Sequence, residues 1–249
     1  MRIAALYDIH GNLPALEAVL AEVELIGPDA IVVGGDVAAG AMPAETIERL
    51  RALGARTRFV MGNGDRELVT AFDDAGAVDA GDEEFRRLLA DNASRLDRAQ
   101  RDFLAGFAPT VALEADGLGP VLFCHGSPRS DTEIITAVTP PERLGPMLDG
   151  VAERTVVCGH THHQFVLEHG GRRVVNAGSV GMPYQGAAAA FWLLLGPEVQ
   201  LRRTDYDVDA ALDTMRAAGV DGIDELMLRE SLIEPVDADT VARFFEDRA

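Results

Sequence analysis

Between residues 1 and 62 short apolar runs alternate with amphipathic stretches: Arg2 to Tyr7, Leu13 to Leu25, Ala30 to Val33, Ala44 to Leu53 and Arg58 to Met61. The short runs suit strands and the longer stretches carry helical spacing, so the segment reads as β-α-β-α-β with a parallel sheet. Asn12 stands two residues before Pro14. An Asn N-cap with proline in the first helical turn starts the first helix directly behind a loop of Asp8 to Asn12, which places that loop at a strand's carboxyl end.

Residues 64–106 are rich in Asp, Glu, Arg, Leu and Ala at helical spacing, and read as an excursion of two or three helices. From Thr110 to Leu201 short apolar runs return at 110–114, 120–124, 155–158, 164–168, 172–175 and 188–195, with 198–204 after the Gly196-Pro197 turn signal. Pro141 to Leu148 is the one clear helical interruption. Residues 206–249 read as a C-terminal helical appendage packed on a core of residues 1–205, with Leu212, Met215, Leu226, Leu228, Phe244 and Phe245 as its apolar positions.

A chain of 249 residues, 47% of them hydrophobic, can bury a sizeable core. The N-terminus lacks the basic and long apolar regions of a signal peptide, and the longest apolar run, Ala187 to Leu195, is far short of the roughly 20 residues that span a membrane. The expectation is a soluble cytoplasmic protein without a membrane partner; a homo-oligomer stays open. Cys124 and Cys158 lie inside apolar runs and read as buried reduced thiols. A net charge of −19 argues against long DNA or RNA as partner, because that affinity rests on neutralising phosphates. An anionic substrate must then be attracted locally, by a bound cation or a few arginines.

The chemistry-bearing residues sit in short motifs at predicted strand ends: Asp8-Ile9-His10, Gly35-Asp36, Gly62-Asn63, Cys124-His125-Gly126 and Gly159-His160-Thr161-His162. Each motif alone reads as an ordinary turn. Together they place four of six histidines, His10, His125, His160 and His162, beside glycines at strand ends, where loops carry function. Imidazoles, carboxylates and an amide oxygen suit Mn, Fe, Zn, Co or Ni without a thiolate. On an extended segment residues i and i+2 point the same way, so Asp8 with His10, and His160 with His162, could each present two groups to one cavity. Asp36 could bridge two such ions, a pair of which lowers the pKa of a bound water toward about 7.

The ordered set DIHGN, GGD, GN, CHGSP, GHTH and NAGSVGMP over residues 1–205 resembles the calcineurin-like metallophosphoesterase superfamily, in particular its small prokaryotic phosphodiesterase branch. The resemblance implies an α/β (α+β) fold, a two-sheet β-sandwich flanked by helices in four layers. It implies two divalent transition-metal ions, one at Asp8, His10, Asp36 and His162 and the other at Asp36, Asn63, His125 and His160. Asp36, Asn63 and His125 are the expected catalytic positions, and the implied activity is hydrolysis of small phosphate esters, in the first place phosphodiesters, by a hydroxide held between the ions. Ser127 and Arg129 could contact the substrate phosphate, since guanidinium pairs bidentately with phosphate oxygens, although the same residues equally suit a turn. His163 should point away from the ligand pair beside it, His169 reads as a turn residue, and the loop Asn176 to Pro183 either lies near the site or closes a hairpin.

One departure is informative. Many relatives carry G-N-H-D or G-N-H-E, with a histidine that resembles a catalytic acid; here the run is Gly62-Asn63-Gly64-Asp65. That tells against the phosphoprotein or dinucleoside-polyphosphate phosphatases that DIHGN also resembles, and puts leaving-group protonation in doubt. Asp65 fits the acidic position and would orient a neighbouring ligand. A non-catalytic scaffold of the same fold, like the family's retromer subunit, is the remaining alternative, and metal-dependent turnover separates it from an enzyme.

Overall fold

The computed structural model describes residues 1–79, 83–219 and 224–249, and side chains from 227 onward in the last stretch. In chain order the main elements are β1 (Ile3–Leu6), α1 (Leu13–Ile26), β2 (Ala30–Val33), α2 (Pro43–Arg51), β3 (Thr57–Phe59), α3 (Asn63–Asp73), α4 (Glu83–Ser94), α5 (Arg98–Ala105), β4 (Val111–Ala115), β5 (Gly119–Phe123), α6 (Pro141–Met147), β6 (Thr155–Cys158), β7 (Gln164–His169), β8 (Arg172–Ala177), β9 (Ala190–Leu195), β10 (Val199–Thr204), α7 (Val208–Ala217) and α8 (Ala238–Glu246). A wide helical turn system, Asp224–Ile233, links α7 to α8.

The strands form two five-stranded mixed sheets, ordered β10-β9-β1-β2-β3 and β4-β5-β6-β8-β7. In the first, β1, β2 and β3 run parallel and β9 pairs antiparallel with β1. In the second, β5, β6 and β8 run parallel between antiparallel β4 and β7. Strand alternation sorts the β1 region between two cores: Ala4 and Leu6 pack with α1 to α5, while Ile3, Ala5 and Tyr7 pack with Val121, Phe123, Val157 and Leu193 between the sheets. Because both faces of β1 and β2 are covered, their sequences are continuous apolar runs. The outer face of the second sheet is closed by α6 through Leu144 and Met147. The layers are therefore helix, sheet, sheet, helix, as the resemblance implied.

Local signals behave as expected at the helix behind β1. Asn12 accepts a hydrogen bond from the Ala15 amide at 3.1 Å, Pro14 lies in the first turn, and Gly27 ends the helix in the left-handed conformation. The C-terminal segment closes over the same end of the molecule. Leu212, Met215, Met227 and Leu232 pack with Ala41, Leu88 and Met182, and Glu246 of α8 accepts from Arg143 and Thr139 at 2.5 and 2.8 Å. No helix among the described residues is long and apolar enough to cross a membrane.

Phe123 is fully buried between the sheets, whereas Leu25 is 89% exposed. Phe123→Ala should cost about 3–5 kcal/mol, and Leu25→Ala less than about 0.5 kcal/mol. Urea unfolding midpoints check both; equal shifts would mean that the inter-sheet layer is not the core.

Candidate metal centre

The carboxyl ends of β1, β2, β5 and β6 and the start of α3 converge on one pocket, and the backbone there is unusual. Asp8, His10, Asp36, His160 and His162 have positive φ, between 48° and 67°, and are the non-glycine residues with that property among those described. A left-handed residue with a Cβ costs about 1–2 kcal/mol, so five such positions persist only where the surroundings over-determine them. Hydrogen bonds between neighbouring loops do so: the amides of Asp8, His10 and Gly11 donate to the carbonyls of Gly35, Asp36 and Val37 at 3.1, 2.9 and 3.0 Å. The His160 amide donates to Asp8 Oδ2 at 3.0 Å, joining the third loop. Strand alternation, expected from the sequence to bring Asp8 with His10 and His160 with His162 to one side, is not the cause. The chain has left the strands at these residues, and left-handed turns aim the side chains.

Those side chains form two groups, each with potential ligand atoms within 4.8 Å of one another: Asp8, His10 and His162, and Asp36, His125 and His160. Asp36 stands between them, its Oδ2 3.4 Å from His125 Nε2 and 3.9 Å from His10 Nε2. Asp8 Oδ1 lies 3.4 Å from His162 Nε2 and 3.9 Å from His125 Nε2. The Nδ1 atoms of His10, His125 and His162 are hydrogen-bonded to the carbonyls of Ala39, Gly34 and Met182 at 3.0, 2.9 and 2.7 Å. A carbonyl can only accept, so Nδ1 carries the proton and Nε2 faces the pocket, the arrangement metal-binding histidines use.

The remaining expected ligand, Asn63, is the first residue of α3. Its Oδ1 is buried without a hydrogen-bond partner. Glu67, four residues on, shares its helix face; burial raises the Glu67 carboxyl pKa, and the Asn63 side chain acts to lower it. From that position a Glu67 carboxylate can take the amide nitrogen and leave the oxygen free for a cation. Asp65, in the same first turns of α3, accepts from the amides of Asp36, Val37 and Gly62 at 2.9, 2.9 and 3.0 Å. The Gly64 amide donates to Asp36 Oδ1 at 2.7 Å. These contacts need small residues: a Cβ on Gly62 would lie 2.2 Å from Asp36 Oδ1.

Two carboxylates buried this deeply demand positive charge. Burial alone would raise the pKa of Asp36, but His125, His10 and His160 outweigh it and hold the carboxyl well below its usual range. Burial disfavours the His125 imidazolium, yet Asp36 and Asp8 push its pKa up to about 10. Burial, with the His125 charge, pushes His160 down to about 4. A proton on His125 thus stands in for a cation. Asp8 Oδ1, Asn63 Oδ1 and His125 Nε2 are all buried without a hydrogen-bond partner. Such orphaned atoms around an N/O donor set fit divalent transition-metal ions.

Residues 1–195 match the calcineurin-like phosphoesterase superfamily domain. The chain belongs to this superfamily. Over 237 residues it is 27% identical to the uncharacterized protein MJ0912 of Methanocaldococcus jannaschii, covering 85% of this chain and 90% of that protein. It is similar to a metallophosphoesterase from Sphaerobacter thermophilus, with 25% identity and a TM-score of 0.71 over 89% of this chain and 95% of the other. The hypothetical protein PH1004 of Pyrococcus horikoshii shares the fold, with a TM-score of 0.78 at 19% identity over 91% of this chain and 97% of that one.

In this superfamily member the structure brings Asp8, His10, Asp36, His125, His160 and His162 together, and Asn63 precedes Gly64, whose amide donates to the Asp36 carboxylate. Ser127 and Arg129 lie on the wall of a cleft beside His125, with their polar atoms engaged within the protein. Ser127 Oγ donates to Glu133 at 2.5 Å and accepts from the amides of Arg129 and Ser130, an ordinary turn. Arg129 grips Glu133 with Nε and Nη2 and the Pro146 carbonyl with Nη1. His163 is buried, its Nδ1 on the Thr161 carbonyl and its ring 5.2 Å from Phe165. His169 ends β7 before the Gly170–Gly171 turn. The 176–183 loop does more than close a hairpin: Ser179 Oγ donates to the Asp8 carbonyl at 2.7 Å, and Asn176 donates to the Gly159 carbonyl at 2.7 Å.

Sequence reasoning passed over Glu67 and Tyr184. Glu67 was marked only by its place four residues after Asn63, and Tyr184, which stacks on His162 with centroids 5.1 Å apart, only by following Pro183. Gly64 has ordinary φ, but a Cβ there would sit 3.0 Å from Asp36 Oδ1. A histidine at this position would press on Asp36 and not merely add an acid.

Two outcomes test the centre. Glu67→Leu should weaken metal affinity about 10- to 100-fold by freeing the Asn63 amide to turn; calorimetric titration with Mn(II) measures it, and unchanged affinity would show that Glu67 does not orient Asn63. His125 is protonated at neutral pH in the ion-free protein because its pKa is raised to about 10. A metal must displace that proton, so binding near pH 7 should release about one proton per chain and weaken as pH falls. Titration in buffers of different ionisation enthalpy counts it.

Proposed function

We propose that the protein is a metal-dependent phosphoesterase that hydrolyses small phosphate esters, diesters in preference to monoesters, at a centre for two ions. The observation that carries this reading is the position of Asp36: one buried carboxylate, reachable by the donor groups of both clusters, with its second oxygen already held by Gly64 N–H. When bound, a pair of divalent ions supplies Lewis acidity toward a phosphoryl oxygen and makes a water acidic enough to ionise near neutral pH. Asp8, His10 and His162 would hold one ion, and Asn63, His125 and His160 the other, with Asp36 shared.

The protein groups do the rest by position. Asp65, through three amide hydrogen bonds, keeps the Asp36 loop and the start of α3 in register. The carbonyls of Ala39, Gly34 and Met182 keep three imidazoles aimed with Nε2 inward. A net charge of −19 makes long nucleic acid a poor partner and leaves attraction of an anionic ester to this centre. No histidine follows Asn63, so no imidazole from that position protonates the departing oxygen. That favours esters whose leaving group is already stable as an anion.

Chelation should abolish hydrolysis of bis(p-nitrophenyl) phosphate, and Mn, Ni or Co ions should restore it, while Asp36→Asn should remove most of it at any metal concentration. Full activity in protein shown by elemental analysis to be metal-free would contradict this reading. Without a general acid, which contributes about 10²- to 10⁴-fold for poor leaving groups, aryl diesters should be cleaved far faster than alkyl diesters. Equal rates would show that another acid is present.

A further inference from the structure

Beside His125 opens a cleft of about 420 Å³. Its lining includes the apolar side chains of Met61, Phe107 and Pro109 and the charged ones of Arg66 and Asp131. Arg66 lies on α3 three residues after Asn63, so the two side chains share a helix face one turn apart. Its Nε donates to Asp131 Oδ2 at 2.7 Å, which ties α3 to the 127–131 turn across the cleft. Its side chain is 47% exposed, and neither Nη nitrogen has a hydrogen-bond partner among the described residues; Glu67 Oε1 lies 3.8 Å from Nη2. Arg129, the arginine singled out by the sequence, has all three guanidinium nitrogens engaged within the protein.

A guanidinium anchored through Nε presents its two Nη groups as a planar fork, the geometry that meets two oxygens of a phosphate. On a chain of net charge −19 whose 22 cationic residues are all arginines, a fork beside the candidate metal ligands is the local attraction an anionic substrate requires. We propose that Arg66, positioned by Asp131, binds the substrate's phosphoryl oxygens, with the ester group lying against Met61, Phe107 and Pro109. The substrate class is then a small phosphate ester with an apolar or aromatic ester group. This assignment rests on the phosphoesterase reading above and adds its specificity-determining residue.

The test compares the full chain with Arg66→Met, which keeps the apolar stem and removes the fork, and with Arg66→Lys, which restores charge without it. Inorganic phosphate affinity is measured by calorimetry on metal-loaded protein, KM and kcat on bis(p-nitrophenyl) phosphate, and metal content by elemental analysis. Arg66→Met should raise KM and the phosphate Kd about 10- to 100-fold, with kcat changed far less and metal content unchanged; Arg66→Lys should recover part of the loss. Wild-type KM and phosphate affinity in Arg66→Met, or a fall in kcat alone, would overturn the role of Arg66 while leaving the phosphoesterase reading intact. Loss of phosphate affinity in Arg66→Met from a wild-type protein that hydrolyses no ester would keep the anion site and overturn the reading. A wild-type protein that binds no phosphate would overturn the site itself.

Discussion

Two carboxylates, Asp8 and Asp36, are buried at the ends of adjacent parallel strands, and among the described residues only histidines lie within ion-pair distance of them. An arginine in their place would neutralise the charge permanently and leave nothing to bind. Imidazoles neutralise it conditionally, by a proton on His125 or by yielding Nε2 to a cation. The rest of the site keeps this unstable grouping intact: five left-handed residues, three carbonyls fixing imidazole tautomers, and Asp65 gathering three amides. The two packed cores supply the free energy that offsets the strain and the charge burial.

The architecture explains why the charges meet. In a parallel sheet the carboxyl ends of neighbouring strands lie side by side, so β1 and β2 deliver Asp8 and Asp36 to adjacent loops. The second sheet, packed face to face on the first, brings His125 after β5 and His160 after β6 to the same place. The 176–183 loop crosses between the sheets and holds the Asp8 carbonyl. The C-terminal segment joins the assembly at this end, with Phe245 beside Tyr184, which in turn stacks on His162.

Much of this was legible in the sequence because its signals are local. Apolar runs such as Ala30 to Val33 carry the mark of strands covered on both faces, and Asn12 with Pro14 announces a helix start. The glycine-flanked positions of His10, His125 and His160 marked strand-end loops, and the order of the motifs carried the fold. What was hidden depends on contacts distant in the chain. The turn that aims Asp8 and His10 is enforced by carbonyls at Gly35 and Asp36, which no local pattern reports. The engagement of Arg129 follows from Glu133 folding back beneath it, and Glu67 acquires its role only because α3 begins at Asn63.

The proposed function rests on Asp36 being shared by two ions. Anomalous diffraction from crystals grown with Mn(II) tests it directly. Two anomalous peaks about 3.5–4 Å apart are expected, each within bonding distance of the Asp36 carboxylate, one against His10 and His162 and the other against His125 and His160. A single peak, or peaks that leave Asp36 unligated, would contradict it.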